Sequence, residues 1–242
     1  MLEINVEDYT YQKKEPVIKK INLTLMKGEI TSILGASGSG KSTFLRILMG
    51  MEIGASGFIK TERQEFKLEK WGEDQNLFTM VPQIPHLLPW KNILDNISFV
   101  VTDLQIEKEK KSKKEIAFNA LKIVQLDQHA NKYPSEISLG MAQRISFARA
   151  LVMNSDAILL DEPFASLDAH SKYFLQQWLF QKVQETNKYA IMVTHDVREA
   201  ICLSKDIHVI GDKPAVIKKS FNNIKSNNEY LSEYEREIVN FI

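Results

Sequence analysis

Nine residues, Gly35 to Thr43, read GASGSGKST and follow directly on the apolar run ITSIL. The pattern of Gly, four residues, Gly-Lys, then Ser or Thr is that of a phosphate-binding loop between a strand and a helix. Gly35, Gly38 and Gly40 let the backbone N–H groups of Ala36, Ser37 and Ser39 turn inward around phosphates, and the helix start adds a positive dipole end. Lys41 supplies a point charge, the Ser42 hydroxyl suits Mg²⁺, and Thr43 closes the motif. A Gly/Ser-rich joint between strand and helix is the plainer reading, but the apolar strand before and the amphipathic helix after favour a nucleoside triphosphate as ligand. The same constraint sets the fold class, because such a loop needs a strand end and a helix start at one sheet edge.

The remaining pattern agrees with an α/β fold. LEINVEDYTY and VIKKINLTLM alternate as half-buried strands, and KGE at 27–29 is a turn into ITSIL. A helix is expected over 41–50, with Phe44, Ile47, Leu48 and Met51 on one face. Residues 54–84 read as short strands with polar connections, and Pro82, Pro85 and Pro89 forbid a long helix after them. Residues 91–130 read as helical. Within them EKEKKSKK, 107–114, is expected to be a solvated face or loop, with an anionic-lipid contact as the second reading. Helices at 138–153, 169–186 and 197–204 then alternate with AILLDEP, YAIMVTHD and DIHVIG. That alternation indicates a parallel sheet with helices around it, in one domain over 1–242. The polar tail NNIKSNNEYLSEYEREI is expected to be peripheral.

Composition removes some functions. The 31 acidic and 31 basic residues balance, which gives no case for nucleic-acid binding. Cys202 is the one cysteine, so neither an internal disulfide nor a thiolate metal cluster can form. The opening MLEINVEDYT lacks the basic start and apolar core of a signal peptide. No apolar run approaches the roughly 20 residues that cross a bilayer, so a membrane role would need another chain.

A second carboxylate-bearing segment complements the loop. AILLDEP ends an apolar strand in Asp161-Glu162, and ligands of parallel sheets sit beyond the carboxyl ends of strands. Asp161 is then placed to hold Mg²⁺, directly or through water, and Glu162 to act as general base on an attacking water. Farther back, Ser138 is suited to cap the helix AQRISFARALVM.

Together these segments resemble the ATP-binding cassette (ABC) ATPases over nearly the whole chain. GASGSGKST is similar to their Walker A loop, AILLDEP to Walker B, and SLD at 166–168, with Asp168, to the D-loop. The resemblance implies that Gln83 in MVPQ is the Q-loop glutamine, touching Mg²⁺ and the γ-phosphate, and that His195 in IMVTHD is the switch histidine. Tyr11 falls where the family stacks an aromatic on adenine, with Tyr9 close enough to compete. SEISLGMAQRISFARAL aligns with the signature segment, whose helix start points at the γ-phosphate held by a second cassette packed head to tail. Ser138 and Gly140 would donate there, while Leu139 stands where the family has glycine. The implied fold is a P-loop NTPase core with a parallel sheet, an antiparallel β layer and an inserted helical subdomain from about 86 to 150. The implied cofactors are ATP and Mg²⁺.

PHLLPWKNILDNISF, 85–99, is similar to bacterial importer ATPases for nitrate, sulfonates, taurine and thiamine precursors. There the region docks a coupling helix of an integral membrane permease, and Leu87, Leu88 and Trp90 form the expected anchor; burial under the helical subdomain is the alternative. A separate solute-binding protein and a peripheral place on the cytoplasmic face of the bacterial inner membrane follow from the same resemblance. The chain stops soon after DIHVIGDKPAVIKKSF, leaving no room for an added regulatory domain. A lipid-trafficking or export ATPase is the second reading, and a soluble cassette acting on ribosomes or DNA the third.

Overall fold

Runs that alternate in the sequence and runs that are apolar throughout go to different sheets. The computed structural model describes all residues except 12–14, 73–76, 166, 212, 223, 225–230 and 242. The N-terminal half contributes β1 (Leu2–Thr10), β2 (Pro16–Leu25), β3 (Ile30–Leu34), α1 (Lys41–Leu48), β4 (Ser56–Lys60), β5 (Glu65–Lys67) and β6 (Phe78–Val81). Next come α2 (Ile93–Ser98), α3 (Asp103–Glu109), α4 (Lys113–Ile123), α5 (Leu139–Val152) and β7 (Ala157–Asp161). The chain continues through α6 (Ala169–Thr186), β8 (Tyr189–Thr194), α7 (Val197–Leu203), β9 (Asp206–Ile210), β10 (Ile217–Phe221) and α8 (Leu231–Val239).

The alternating strands build an antiparallel sheet in the order β2-β1-β4-β5. The apolar ones build the core of the second sheet, β10-β9-β3-β8-β7-β6, parallel from β9 to β6, with the polar, largely exposed β10 antiparallel at its edge. Strands β3, β7 and β8 are buried at every residue, as parallel strands covered on both faces must be. Their side chains divide by the two-residue period. Ile158, Leu160, Ala190 and Met192 join a core with α2, α4, α5 and α6. Ala157, Leu159, Ile191 and Val193 face α1 and the antiparallel sheet. The helices between 93 and 152 thus share a core with the sheet.

Several expectations need correcting. Residues 91–130 are not one helical stretch. Ser112 begins α4 by accepting from the Glu115 N–H at 3.3 Å while its own N–H donates to the Glu115 carboxylate at 2.8 Å. Thr102 and Gln105 make the same reciprocal box at α3. The charged run 107–115 is exposed throughout, in keeping with a solvated face. β6 lies in the parallel sheet, beside β7. Met51 lies outside α1 and is 62% exposed, since the helix ends at Leu48 and Gly50 turns the chain with φ of 70°. The tail is more than peripheral. Ile224 and Ile238 are buried with Leu34, Val197, Ile201 and Phe221, and Arg198 donates to Glu235 at 3.0 Å.

That last finding is testable. Ile238→Ala should cost roughly 2–4 kcal/mol as a buried isoleucine truncation. Its neighbour Val239, 56% exposed, should tolerate alanine within about 0.5 kcal/mol. Urea unfolding of both variants checks the contrast, and equal midpoints would place the tail outside the folded unit.

Candidate nucleotide-binding site

The loop 35–40 leaves the carboxyl end of β3 and enters α1 through Gly40, whose φ of 98° lies in the left-handed region. A side chain at Gly35 would put its Cβ 2.9 Å from the Ile210 carbonyl oxygen and 3.0 Å from Ser39 Oγ, so the turn has room only for glycine. Lys41 lies across this turn, its Nζ donating to the Gly35 and Ala36 carbonyls at 2.7 Å each. Burial holds the Lys41 ammonium below its usual pKa, against the opposing pull of Glu162 and Asp161. A 320 Å³ cavity opens over the loop, lined by Ser37, Gly38, Gly40, Lys41, Ser42 and Thr43 with Tyr11, Val17, Glu162 and Lys213.

Parallel register delivers the remaining groups. Leu34 pairs with Thr194, Val193 with Asp161 and Leu160 with Val81, so four strands end at nearly one level. β3 and β7 flank β8, roughly 10 Å apart at ordinary strand spacing; the loop after β3 crosses that gap, and Ser42 in the first turn of α1 donates to Asp161 Oδ1 at 3.0 Å. Burial raises the Asp161 pKa, with the Ser42 hydrogen bond opposing it. Among the described residues no three His, Cys, Asp or Glu side chains gather as a metal site. Ser42 and Asp161 nevertheless offer hard oxygen ligands side by side, the donor type Mg²⁺ takes when phosphate and water complete its shell.

Glu162 follows the strand with φ of 42°, a conformation uncommon for a residue with a side chain. Its N–H is held by the Val193 carbonyl at 2.9 Å. The bend carries its carboxylate to His195 Nδ1 at 3.1 Å and to Gln83 Nε2 at 3.4 Å. His195 and Gln83 are exposed, whereas Glu162 is half-buried. Three residues proposed from motifs more than 30 positions apart therefore meet at one oxygen, Glu162 Oε2.

The two tyrosines separate by burial. Tyr9 is 4% exposed, whereas Tyr11 lines the phosphate-loop cavity. Ser138, Gly140 and Asp168 are absent from the described lining of that cavity. Ser138 caps α5 by accepting from the Met141 N–H at 3.2 Å, and Leu139 opens the helix half exposed. Asp168 caps α6, accepting from the His170 and Ser171 N–H groups at 3.1 and 3.0 Å. Ser166 of the SLD motif lies outside the described residues. The expected apolar cluster at 87–90 is not uniformly open. Leu87 packs on the helical core and Leu88 is half-buried, tied through its backbone to the Asn96 side chain; Trp90 is 71% exposed.

Sequence reasoning missed the group behind His195. Lys172 of α6 donates to Asp196 at 2.9 Å and pairs with Glu199 at 2.7 Å. Glu199, 5% exposed, also accepts from the Thr194 hydroxyl at 2.7 Å. Burial alone would lower the Lys172 pKa, but its two carboxylate partners outweigh that and raise it. No motif signals this lysine; it is one of several polar residues on α6. Removing the cation from a fully buried pair costs about 3–5 kcal/mol. Lys172→Met should cost less, roughly 2 kcal/mol, because Lys172 retains some solvent. Adding Glu199→Gln should recover part of the loss. Urea unfolding checks this, and a single variant as stable as wild type would show the pair to be idle.

This arrangement can be set beside known proteins. The family model for ABC transporters matches residues 18–165, from within β2 through the Asp161-Glu162 pair. The nitrate import ATP-binding protein NrtC of Synechococcus elongatus is 33% identical over 93% of the chain, which spans only 35% of that protein. The taurine import ATP-binding protein TauB of Escherichia coli O157:H7 is 36% identical, with 83% of the chain and 76% of TauB covered. The bicarbonate transport ATP-binding protein CmpC of Synechocystis is 36% identical over 81% of the chain and 29% of its own length. Among solved structures, the dimeric post-hydrolysis state of the ATP-binding cassette MJ0796 bound to ADP and phosphate superposes with a TM-score of 0.75. It is 26% identical and covers 92% of this chain and 98% of its own. With its phosphate loop, its sheet order and its matched span in agreement, the chain belongs to the ABC transporter family.

Proposed function

We propose that the chain is the ATP-hydrolysing subunit of a membrane importer for a small solute, of the kind named for nitrate, taurine and bicarbonate. The observation that carries the reading is the shared carboxylate oxygen of Glu162, within reach of His195 and Gln83, beside a loop whose Lys41 and Ser42 face Asp161.

On this reading the loop N–H groups and Lys41 take the β- and γ-phosphates, Lys41 exchanging its two carbonyl partners for phosphate oxygens. Tyr11 takes the adenine face. Ser42, Asp161 and Gln83 hold Mg²⁺, which when bound neutralises charge on the β- and γ-oxygens. Glu162 accepts a proton from the attacking water, and His195 fixes the carboxylate and the γ-phosphate relative to each other. Ser138 and Gly140 serve the nucleotide of a second, identical cassette packed head to tail, with Asp168 at the same junction. The dimeric state of the MJ0796 cassette supports the pairing of two cassettes.

Among the described residues no helix is long and apolar enough to cross a membrane. The permease would be a separate chain, reached from the cytoplasmic side, with a solute-binding protein beyond it. Trp90, Ile84 and Phe99 are each at least 64% exposed and form the candidate docking surface, with half-buried Leu88 beside Trp90 and Leu87 packed on the helical core. The import names of NrtC and TauB favour import over an export or lipid-trafficking role.

Glu162→Gln should bind ATP normally and lower phosphate release by roughly 10²–10⁴, while accumulating an ATP-bound dimer on size exclusion. Hydrolysis within a few-fold of wild type would remove Glu162 from this role. Trp90→Ala should leave hydrolysis by the isolated chain unchanged but reduce the chain recovered with detergent-solubilised membrane subunits, a loss of about 2 kcal/mol of binding. Undiminished recovery would move the docking site elsewhere.

A further inference from the structure

Glu52 stands just after the turn that ends α1, on the antiparallel-sheet side of the phosphate loop. Its two carboxylate oxygens are divided between two rings. Oε2 accepts from the Tyr9 hydroxyl at 2.7 Å, and Oε1 accepts from the Tyr11 hydroxyl at 2.9 Å. The rings meet edge to face, with centroids 4.9 Å apart. Tyr11 also reaches Thr43 Oγ1 at 3.4 Å, and Arg46 lies 4.0 Å from Glu52 Oε1. Thr43 and Arg46 belong to α1, the helix that begins at the loop.

We propose that Glu52 is a positioning residue for the nucleobase: its carboxylate clamps Tyr9 and Tyr11 together and fixes the Tyr11 ring over the loop, ready for a purine to stack. The proposal rests on Tyr11 taking the base and adds the group that sets its orientation. Tyr11 stands just past the end of β1, partly buried against the antiparallel-sheet core, and the bonds to its hydroxyl select one of the rotamers that such a ring can take. Tyr9 cannot take the base because it is buried, but it completes the clamp: burial first, then Glu52, pushes its hydroxyl pKa far up, so it stays a donor at every working pH. The Glu52 side chain is 18% exposed, which protects both hydrogen bonds from water. A preset ring spares the ordering cost that a loose one would take from each binding event.

The test separates base from phosphate. Titration calorimetry of the purified chain with ATP and with inorganic tripolyphosphate, which has no base, is run on four proteins. Tyr11→Ala should weaken ATP by roughly tenfold, the loss of one base–aromatic stack. Glu52→Ala should weaken ATP about fivefold, because the ring remains but is no longer fixed. Glu52→Gln keeps a carbonyl acceptor and should recover most of the affinity. Tripolyphosphate affinity should be the same in all four, which also shows that each variant is folded. If Tyr11→Ala weakens ATP and Glu52→Ala does not, the positioning role is wrong and the base site stands. Should Tyr11→Ala bind ATP like wild type, the base site itself is misplaced and the proposal falls with it. Equal losses for ATP and tripolyphosphate in Glu52→Ala would make Glu52 a support of the phosphate loop and overturn the proposal.

Discussion

Everything at this site depends on the register of four parallel strands. Because Leu34, Thr194, Asp161 and Val81 end at neighbouring rungs, residues far apart in the chain are presented along one sheet edge. A parallel ladder cannot slip by one residue without turning its buried side chains to the opposite face. Here both faces are packed, Ile158 and Leu160 against helices and Ala157 and Leu159 against α1 and the second sheet. The apolar core therefore does more than stabilise the fold. It holds Asp161 within hydrogen-bond reach of Ser42, at 3.0 Å, and brings Glu162 to His195, at 3.1 Å.

A site packed this closely to apolar core must manage its charges. Lys41 is 5% exposed and Asp161 9%, and burial shifts each toward its neutral form. Lys41 meets the cost with two carbonyl bonds, Asp161 with the Ser42 hydroxyl. Behind His195 the solution is a closed network: Lys172, Asp196, Glu199 and Thr194 satisfy one another while Asp196 also caps α7. The Asp196 N–H donates to Thr194 Oγ1 at 3.0 Å, which pins the backbone on either side of His195. Exposed and reactive side chains are carried on backbone whose polar groups are already spent.

What could be read from sequence followed how local the signal was. The phosphate loop, the apolar strands and the 169–186 helix each depend on adjacent residues, and the structure has them at those positions. The breaks at Thr102 and Ser112 were equally local, since TDLQ and SKKE are capping boxes, but the abundance of helix formers around them hid the boundary. Glu52 and Lys172 could not be found in that way. Their partners lie 43 and 41 residues back and 24 and 27 residues ahead, so only tertiary pairing gives them meaning. The unequal exposure of residues 87–90 has a related cause. Leu87, Leu88 and Trp90 look alike as apolar letters, but the Asn96 side chain bonds the Leu88 backbone, Leu87 packs on the helical core, and of the three only Trp90 is exposed.

Leu139 shows how little a departure from a motif decides by itself. A leucine where glycine is usual would be strained if the backbone were left-handed, yet Leu139 begins α5 and is not among the residues with positive φ. Helix propensity then favours leucine over glycine by roughly 1 kcal/mol. Gly140 is not required from within the chain either: a Cβ there would find Leu167 and Ser171 at 3.6 Å, an ordinary contact. At Gly35 and Gly40 the reason for glycine is visible in neighbouring atoms or in φ. At Gly140 neither reason exists in the folded chain, so glycine there is not a requirement of the fold itself. The half-exposed Leu139 side chain sits at the same helix start, open to any partner that approaches it. On the proposed head-to-tail pairing that partner would be a facing cassette, against which Leu139 would present apolar surface where a glycine would leave space.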